Sequence, residues 1–416
     1  MPTKVVVIGS GAREHALVRA LRLGGGGREL VCIPGNPGIA RDARCVQPQG
    51  PGVAGLAGAA LAERPDLVIV GPEAPLADGF ADRMAEARVA CFGPVAAAAR
   101  IEASKAFAKE IMLAAGVPTA AAAVFEDAAK ARDHARAQGA CVVKLDGLAA
   151  GKGVIVADDS AQAAQAVDEL WRPGARLLIE ERLEGPEISI IALCDGESVL
   201  PLPPARDHKR LLDGDLGPNT GGMGAVCPPR DGTAALVAET VRTVLLPTVR
   251  ELARRGTPFV GALYAGLMLT PRGPRVLEFN CRLGDPEAQA IFLRLRSDPL
   301  PLFLAAAQGR LAAQQPQWDP RTAVAVVLAA HGYPGTPRAL DAIDGLEAIE
   351  EGEDLWILHA GTRLHEGKIA TSGGRVVTVA ALGADAAQAR ARAYGAAARI
   401  SFAGQQRRSD IAAAEG

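Results

Sequence analysis

Between Lys4 and Pro94 the chain repeats one rhythm: a short β-branched apolar run that stops at glycine or proline, then a stretch with helical spacing. The runs are KVVVIG (4–9), ELVCIPG (29–35), DLVIVGPE (66–73) and VACFGP (89–94), and Ala12–Leu23 is the first helical stretch. Apolar runs alternating with helices predict an open parallel sheet covered on its faces by helices, forming a first unit over residues 1–102. From Ser104 the texture changes. A lysine-bearing helix leads to AAGVPTA, another helical stretch and ACVVKLDGLAAGKGVIVADD (140–159), which reads as strand, glycine loop and strand, a hairpin in place of a crossover. Further strands are predicted within LLIEERLEGPEISIIALCDG (177–196), VGALYAGLML (260–269) and RVLEFNCRLGDPEAQ (275–289), with a long loop at GDLGPNTGGMGAVCPP (214–229). The polar, proline-bearing QQPQWDPRT (314–322) predicts a boundary. After it, AVAVVLAA, DLWILHAG and GRVVTVAAL alternate with turns before a last helix, which predicts a small α+β appendage.

A length of 416 residues exceeds one comfortable hydrophobic core, so two to four units are expected. The 45 basic and 47 acidic residues leave a net charge of −2, too small a field to favour nucleic acid or an anionic membrane. No apolar run reaches the roughly 18 to 20 residues that span a bilayer, and Met1 leads directly into a strand, so a cytoplasmic protein acting on small molecules is expected. The seven cysteines are scattered and never spaced as C-x-x-C, which reads as reduced thiols. Only eight of the basic residues are lysine, and four of these sit in glycine-rich or polar motifs. Lysine is a compact point charge where arginine is a planar fork, so retained lysines mark places where a point charge is needed.

The first turn, Gly9-Ser10-Gly11-Ala12-Arg13-Glu14-His15, has the first two glycines of a dinucleotide fingerprint, but Glu14 holds the third position and the second strand ends in Ile33-Pro34 without an acidic residue for a ribose. A nicotinamide dehydrogenase is disfavoured. The turn suits an anion at a helix start with Arg13 beside it, although read alone it is equally an ordinary βα turn. Pro34-Gly35-Asn36-Pro37-Gly38 and Gly71-Pro72-Glu73 also follow strands, where ligands of open sheets bind. In Lys144-Leu145-Asp146-Gly147-Leu148-Ala149-Ala150-Gly151-Lys152-Gly153 small residues let backbone approach a polyanion while Lys144 and Lys152 bring charge. The loop joins two strands and lacks the Walker order. Glu180-Glu181-Arg182-Leu183 and Glu187 form a turn able to offer backbone to an adenine and a carboxylate to ribose hydroxyls; in isolation it reads as a charged exposed turn. Strand alternation predicts Glu278, Asn280 and Arg282 on one face, an oxygen pair for Mg²⁺ with a guanidinium next to it. Asp207-His208-Lys209-Arg210 and Gly217–Gly224 are loop sequences suited to a small zwitterionic or phosphorylated ligand. No paired histidines or cysteines compete as a metal site, and no G-x-S-x-G is present.

Taken in order, VIGSGAREHAL, GPEAPLADG, DGLAAGKGVIVA, DHKR, GPNTGGMGA, YAGLM, EFNCRLGDPEAQ, HAGT and TSGGRV resemble the phosphoribosylamine-glycine ligase family of the ATP-grasp superfamily over almost the whole chain. The resemblance implies an α/β protein with an ATP-grasp fold: an N-terminal open parallel-sheet domain (1–102), an ATP-grasp domain (103–318) with a mobile lid at about 119–188, and a small C-terminal α+β domain (319–416). It implies a ligase that joins glycine to 5-phospho-β-D-ribosylamine in purine biosynthesis, with ATP as co-substrate, Mg²⁺ or Mn²⁺ as metal and no obligate protein partner. Carried over, Lys105, Lys144, Gly151, Lys152 and Gly153 meet the ATP phosphates; Glu180, Glu181 and Leu183 hold adenine and Glu187 the ribose. Glu278 and Asn280 hold the metal, and Arg282, Lys144 and Asp207 act in catalysis. Gly11, Arg13, Glu14, Asn36, Gly38, Glu73, Asp207, Lys209, Asn219, Gly221, Gly222, Met223 and Asp285 line the substrate site. The sequence departs from the family at Ala12, Leu145 and Leu283, usually glycine, alanine and phenylalanine, and lacks the usual glycine after Asp410-Ile411. YAGLML offers no third metal carboxylate, so two protein ligands are expected.

Two other readings remain: another ATP-grasp ligase or carboxylase with a different acid or amine, opposed by DHKR and GPNTGGMGA, and a nucleotide-sensing regulator without turnover, opposed by intact Glu278, Asn280, Lys144 and Lys152.

Overall fold

The computed structural model describes residues 3–148 and 153–415. The first sheet runs β3-β2-β1-β4-β5, all parallel, from β1 (Lys4–Gly9), β2 (Glu29–Pro34), β3 (Arg44–Cys45), β4 (Leu67–Val70) and β5 (Cys91–Phe92). Helices α1 (Ala12–Leu23), α2 (Gly52–Ala62), α3 (Glu73–Ala77), α4 (Phe80–Glu86) and α5 (Ala96–Ala103) cover it. Val5, Val6, Val7 and Leu67, Val68, Ile69 are fully buried, as strands covered on both faces require. Strand order reverses between β1 and β4, so the turns after them open on one crevice. The two-residue β3 is too short to leave a hydrophobic pattern in the sequence.

After α6 (Lys105–Ala114), capped by the Ser104 hydroxyl, comes an antiparallel sheet in the order β6-β9-β7-β8: β6 (Ala122–Phe125), β7 (Cys141–Leu145), β8 (Val154–Ala157) and β9 (Leu177–Glu181), with α7 (Ala128–Gln138) and α8 (Ser160–Leu170). β7 and β8 form the expected hairpin. This segment has its own core, built from Ala131, Ala135, Cys141, Val143, Ala163, Val167 and Ile179. A body with a separate core has little apolar contact holding it to the rest.

The chain re-enters through β10 (Glu187–Asp195), which pairs β11 (Val199–Pro201) and β16 (Val260–Thr270); β17 (Gly273–Asn280) completes this sheet. Although LLIEE and EISII lie only a few residues apart, β9 and β10 belong to different sheets. Opposite Gly266 and Leu267 of β16 the register slips, leaving Leu277 of β17 as an extra, bulged residue. The bulge turns Glu278 and Asn280 out of the phase set by buried Pro274 and Val276.

A third large sheet runs β12-β15-β18-β22-β19: β12 (Arg206–Asp207), β15 (Gly224–Cys227), β18 (Thr322–Ala329), β19 (Leu355–His359) and β22 (Arg375–Gly383). Its inner strand β15 thus comes from far upstream of β18. Hairpins β13 (Arg210–Leu212) with β14 (Leu216–Asn219) and β20 (Thr362–His365) with β21 (Lys368–Thr371) flank it. The remaining helices are α9 (Ala234–Thr240), α10 (Leu246–Arg254), α11 (Glu287–Leu293), α12 (Leu300–Ala307) and α13 (Ala386–Ala397). Every residue of α11 is buried; it lies against α1, β15 and β18 and joins the first core to the third sheet. Among the described residues no helix is long and apolar enough to cross a membrane.

Candidate active site

The bulge at Leu277 shapes the first part of the site. Its carbonyl accepts from Lys144 Nζ at 2.9 Å, and the same ammonium pairs with Glu180 Oε2 at 2.8 Å. Lys105, at the start of α6, donates to the Gly147 carbonyl at 2.8 Å. Burial lowers the Lys105 pKa, Glu278 opposes that shift and Lys144 adds to it, so the three groups share one electrostatic neighbourhood. Asp146 ties the end of β7 to α6 by accepting from the Ser104 hydroxyl at 3.1 Å and the Ala106 amide at 3.2 Å. Gly151 and Lys152 lie outside the described residues; the Gly153 carbonyl accepts from the Leu145 amide at 2.7 Å across the loop base.

Glu180 differs from the expectation. Its side chain is 3% exposed and divided between Lys144 and Lys109, so it is the counter-ion of both lysines and only its backbone remains to meet a ligand. Glu181 points to the surface and pairs with Arg272, with half-buried Leu183 two residues on. Glu187, the first residue of β10, pairs with Lys209 at 2.8 Å, and Lys209 reaches Asp207 Oδ1 at 2.8 Å. Burial disfavours the Lys209 charge, but Asp207 and Glu187 more than offset it and raise its pKa well above the usual value. Next to this cluster lies a buried hydroxyl pair, Ser189 Oγ and Tyr264 Oη at 2.7 Å, with Ser189 also 3.1 Å from Glu287 Oε1. Burial first, then the charge of Asp207, holds the Glu287 carboxyl above its usual range.

Arg282 also departs from the sequence reading. β17 ends at Asn280, so Arg282 lies beyond the strand and shares no pleat with Glu278. It is held instead by two carboxylates of the first unit, Glu102 Oε1 at 3.1 Å and Glu73 Oε2 at 3.3 Å. Glu102 Oε2 accepts from the Cys281 amide at 2.7 Å. Burial alone would favour loss of the guanidinium proton; Glu102 and Glu73 overturn this and raise the Arg282 pKa.

Around the crevice, several expected ligands serve the loops themselves. Glu14 bridges the Gly11 amide and Arg13 Nε, each at 2.6 Å, and Arg13 reaches the Leu283 carbonyl at 3.2 Å. Asn36 has no hydrogen-bonding capacity left: its amide donates to Ser10 and His359 carbonyls and its oxygen accepts from the Gly38 and Ile39 amides, between 2.8 and 2.9 Å. Asn36 is therefore a loop-shaping residue. Gly38 packs between His15 and His359, whose rings would lie 2.5 Å from an added Cβ. Met223 is fully buried in the core of the third sheet, and its amide and carbonyl bond His208 and Val327, so it too is structural. Asn219 ends β14, leading into Thr220-Gly221-Gly222. Gly222 has φ +109° and lies 2.4 Å, at its would-be Cβ, from Pro286 Cδ. Arg375 clamps this turn to Asp285, donating to the Asp285 carbonyl at 2.6 Å and pairing with its carboxylate at 3.0 Å, while Tyr333 Oη accepts from the Gly221 amide at 2.8 Å. Despite burial, Arg375 and Arg13 hold the Asp285 carboxyl below its usual range.

Glu102, Lys109, Glu287, Tyr264, Tyr333 and Arg375 were not singled out from sequence. Lysine scarcity applies to Lys109 as it does to Lys144, and Arg375, Glu287 and Tyr264 lie inside quoted motifs; Glu102 left no local signal.

The arrangement offers two lysines and two oxygen donors at one end, an arginine clamped between carboxylates, and a glycine-lined crevice at the other end. Family models of phosphoribosylglycinamide synthetase match the chain over 3–102 (N domain), 103–288 (ATP-grasp domain) and 323–414 (C domain). A phosphoribosylamine-glycine ligase of Streptomyces coelicolor is 52% identical, covering 99% of both chains, and one of Caulobacter vibrioides is 47% identical over 98% of this chain and 97% of its own. The crystal structure of a Thermotoga maritima phosphoribosylamine-glycine ligase superposes with TM-score 0.83 at 33% identity, covering 98% of this chain and 100% of that one. A biotin carboxylase domain of Hydrogenobacter thermophilus, 18% identical with TM-score 0.74, covers 98% of this chain and 92% of its own and shares the fold.

Proposed function

The chain belongs to the phosphoribosylamine-glycine ligase family, with the ATP-grasp fold, and from that premise we propose that it joins glycine to 5-phospho-β-D-ribosylamine through glycyl phosphate. ATP is converted to ADP and phosphate and the product is glycinamide ribonucleotide, in purine biosynthesis in the cytoplasm. The observation that carries the reading of the site is the convergence of Lys105, Lys144 and Glu278 beside the bulge.

A carboxylate resists attack by an amine, so an oxygen must first become a leaving group. Lys105 and Lys144 are the cations for the ATP phosphates, with Gly151, Lys152 and Gly153 closing over them; Glu181 and Leu183 offer backbone to adenine and Glu187 meets the ribose. Glu278 and Asn280 suit Mg²⁺ or Mn²⁺: they are hard oxygen donors, half-buried, and among the described residues Glu278 has no ion-pair partner. No cluster of three or more His, Cys, Asp or Glu competes among those residues. When bound there, the metal neutralises phosphate charge. Arg282, fixed by Glu102 and Glu73, faces the carboxylate that receives the phosphoryl group and stabilises its charge. Asp207 and Lys209 lie where the incoming amine must lose a proton, and the Gly11, Gly38, Gly221 and Asp285 loops form the crevice for phosphoribosylamine. With ¹⁸O-labelled glycine, one labelled oxygen is expected in inorganic phosphate and ADP is the nucleotide product. Label in AMP would replace this mechanism with adenylation.

A further inference from the structure

Lys109 has no role in the chemistry above, yet it is 5% exposed and fully bonded. Its ammonium donates to Thr119 Oγ1 at 2.8 Å and the Ala120 carbonyl at 3.1 Å, and pairs with Glu180 Oε1 at 3.1 Å. Lys109 stands on α6, before the β6–β9 body. Thr119 and Ala120 belong to the connection entering that body, and Glu180 lies at the end of β9, where the chain leaves it. Thr119 in turn donates to the Val276 carbonyl at 2.8 Å, next to the bulge that receives Lys144. One side chain therefore touches both connections and, through Glu180, the lysine assigned to the phosphates.

The charges explain why a second lysine is present. Glu180 is nearly as buried as Lys109 and offers one oxygen to each lysine. Two cations against one anion leave one positive charge, and Lys144, with two of its three N–H groups engaged by Glu180 and Leu277, keeps the third for a ligand. Without Lys109, Glu180 has Lys144 as its only cation, and the pair is neutral where ATP needs a positive group. Resting on the assignment of Lys144 to the ATP phosphates, we propose that Lys109 is a positioning residue for nucleotide binding, holding half of Glu180 so that Lys144 keeps charge and a free N–H for the polyphosphate.

The test uses the full chain with Lys109→Met, Lys109→Met combined with Glu180→Gln, and Lys144→Met. Steady-state KM is measured for ATP and glycine, with ATP-dependent thermal shift as a reading on folded protein. A charge-assisted hydrogen bond is worth enough that Lys109→Met should raise the KM for ATP about tenfold or more, with the KM for glycine within about twofold. The double variant restores the net positive charge and should return the KM for ATP to within about threefold of the parent. A lysine that merely stabilises the fold would shift both constants together, and removing its partner would not restore ATP binding; either result overturns the proposal. Lys109→Gln, which keeps hydrogen bonds without charge, is the second variant should Lys109→Met not fold, and an unchanged KM for ATP in it also overturns the proposal. If Lys144→Met weakens ATP binding and Lys109→Met does not, Lys109 alone is misassigned. If Lys144→Met leaves ATP binding unchanged, the phosphate assignment itself fails.

Discussion

Replacing Glu102 by glutamine tests the arginine clamp with the smallest change of shape. Glu102 gives one oxygen to the Cys281 amide and the other to Arg282, and burial pushes its pKa up against the pull of that guanidinium. The amide oxygen of glutamine still satisfies Cys281, so the loss is confined to the Arg282 contact, where an NH₂ group now meets a donor. A hydrogen bond to a charged group is worth about 1.5–3 kcal/mol, and Glu73 remains as the second partner at 3.3 Å, so a stability loss near the lower end of that range is expected. Arg282 then swings toward Glu73. If its contact with the moving phosphoryl depends on the clamp, losing about 1.4–2.8 kcal/mol of transition-state stabilisation lowers kcat roughly ten- to a hundredfold. The assay is ADP release at saturating ATP, glycine and freshly made phosphoribosylamine, alongside urea unfolding. A variant with a lowered urea midpoint but full kcat would show that Glu102 only supports the fold, refuting the reasoning.

Glu278→Gln is expected to leave the urea midpoint unchanged and cut turnover by roughly two orders of magnitude, since a metal held there loses a charged ligand; near-normal turnover at saturating Mg²⁺ would remove Glu278 from the metal site. Gly222→Ala puts a Cβ 2.4 Å from Pro286 Cδ at φ +109°, so the turn must shift, and KM for phosphoribosylamine or glycine should rise while KM for ATP is retained. Burial lowers the pKa of His359 to about 3 and also lowers that of His15, against 6.5 for a free imidazole. Above pH 6.5 both states are neutral; as pH falls from there toward 3 the unfolded chain binds protons that the folded one refuses. His359 should lower stability by at most about 1.4 kcal/mol per pH unit in that window, with His15 acting in the same direction, and His359→Gln should flatten the slope in urea titrations at stepped pH.

What the sequence displays is set by how local each cause is. The parallel strands are visible because residues such as Val5 to Val7 are covered on both faces and must all be apolar. The β7–β8 hairpin is visible because its partners are neighbours along the chain. The bulge at Leu277 is not, because alternation reads smoothly through RVLEFN and only pairing with β16 shows the extra residue. Extending that alternation to Arg282 misplaced it, since the strand has already ended. Asn36 and Met223 looked like ligands for a related reason: residues in glycine-rich loops also serve the loop's own amides and core, and composition does not separate the two uses. Glu102 became identifiable only when the fold brought the end of α5 against the end of β17.

The place of β15 bears on how the chain is made. Gly224–Cys227 is an inner strand of its sheet, yet its neighbour β18 starts at Thr322. On the ribosome, β15 emerges roughly a hundred residues ahead of that neighbour, and pairing across so long a separation is slow. Until Thr322–Ala329 arrives, the nascent protein carries an open, apolar strand edge that another chain could capture. The Gly221–Gly222 turn leads directly into β15, and Arg375, which clamps it, is translated later still. The residues proposed for the nucleotide are thus encoded before the crevice proposed for the amine can close, and a chain stalled between the two is expected to bind ATP without ligating. Pull-down of stalled nascent chains on immobilised ATP would show whether competence is acquired in that order.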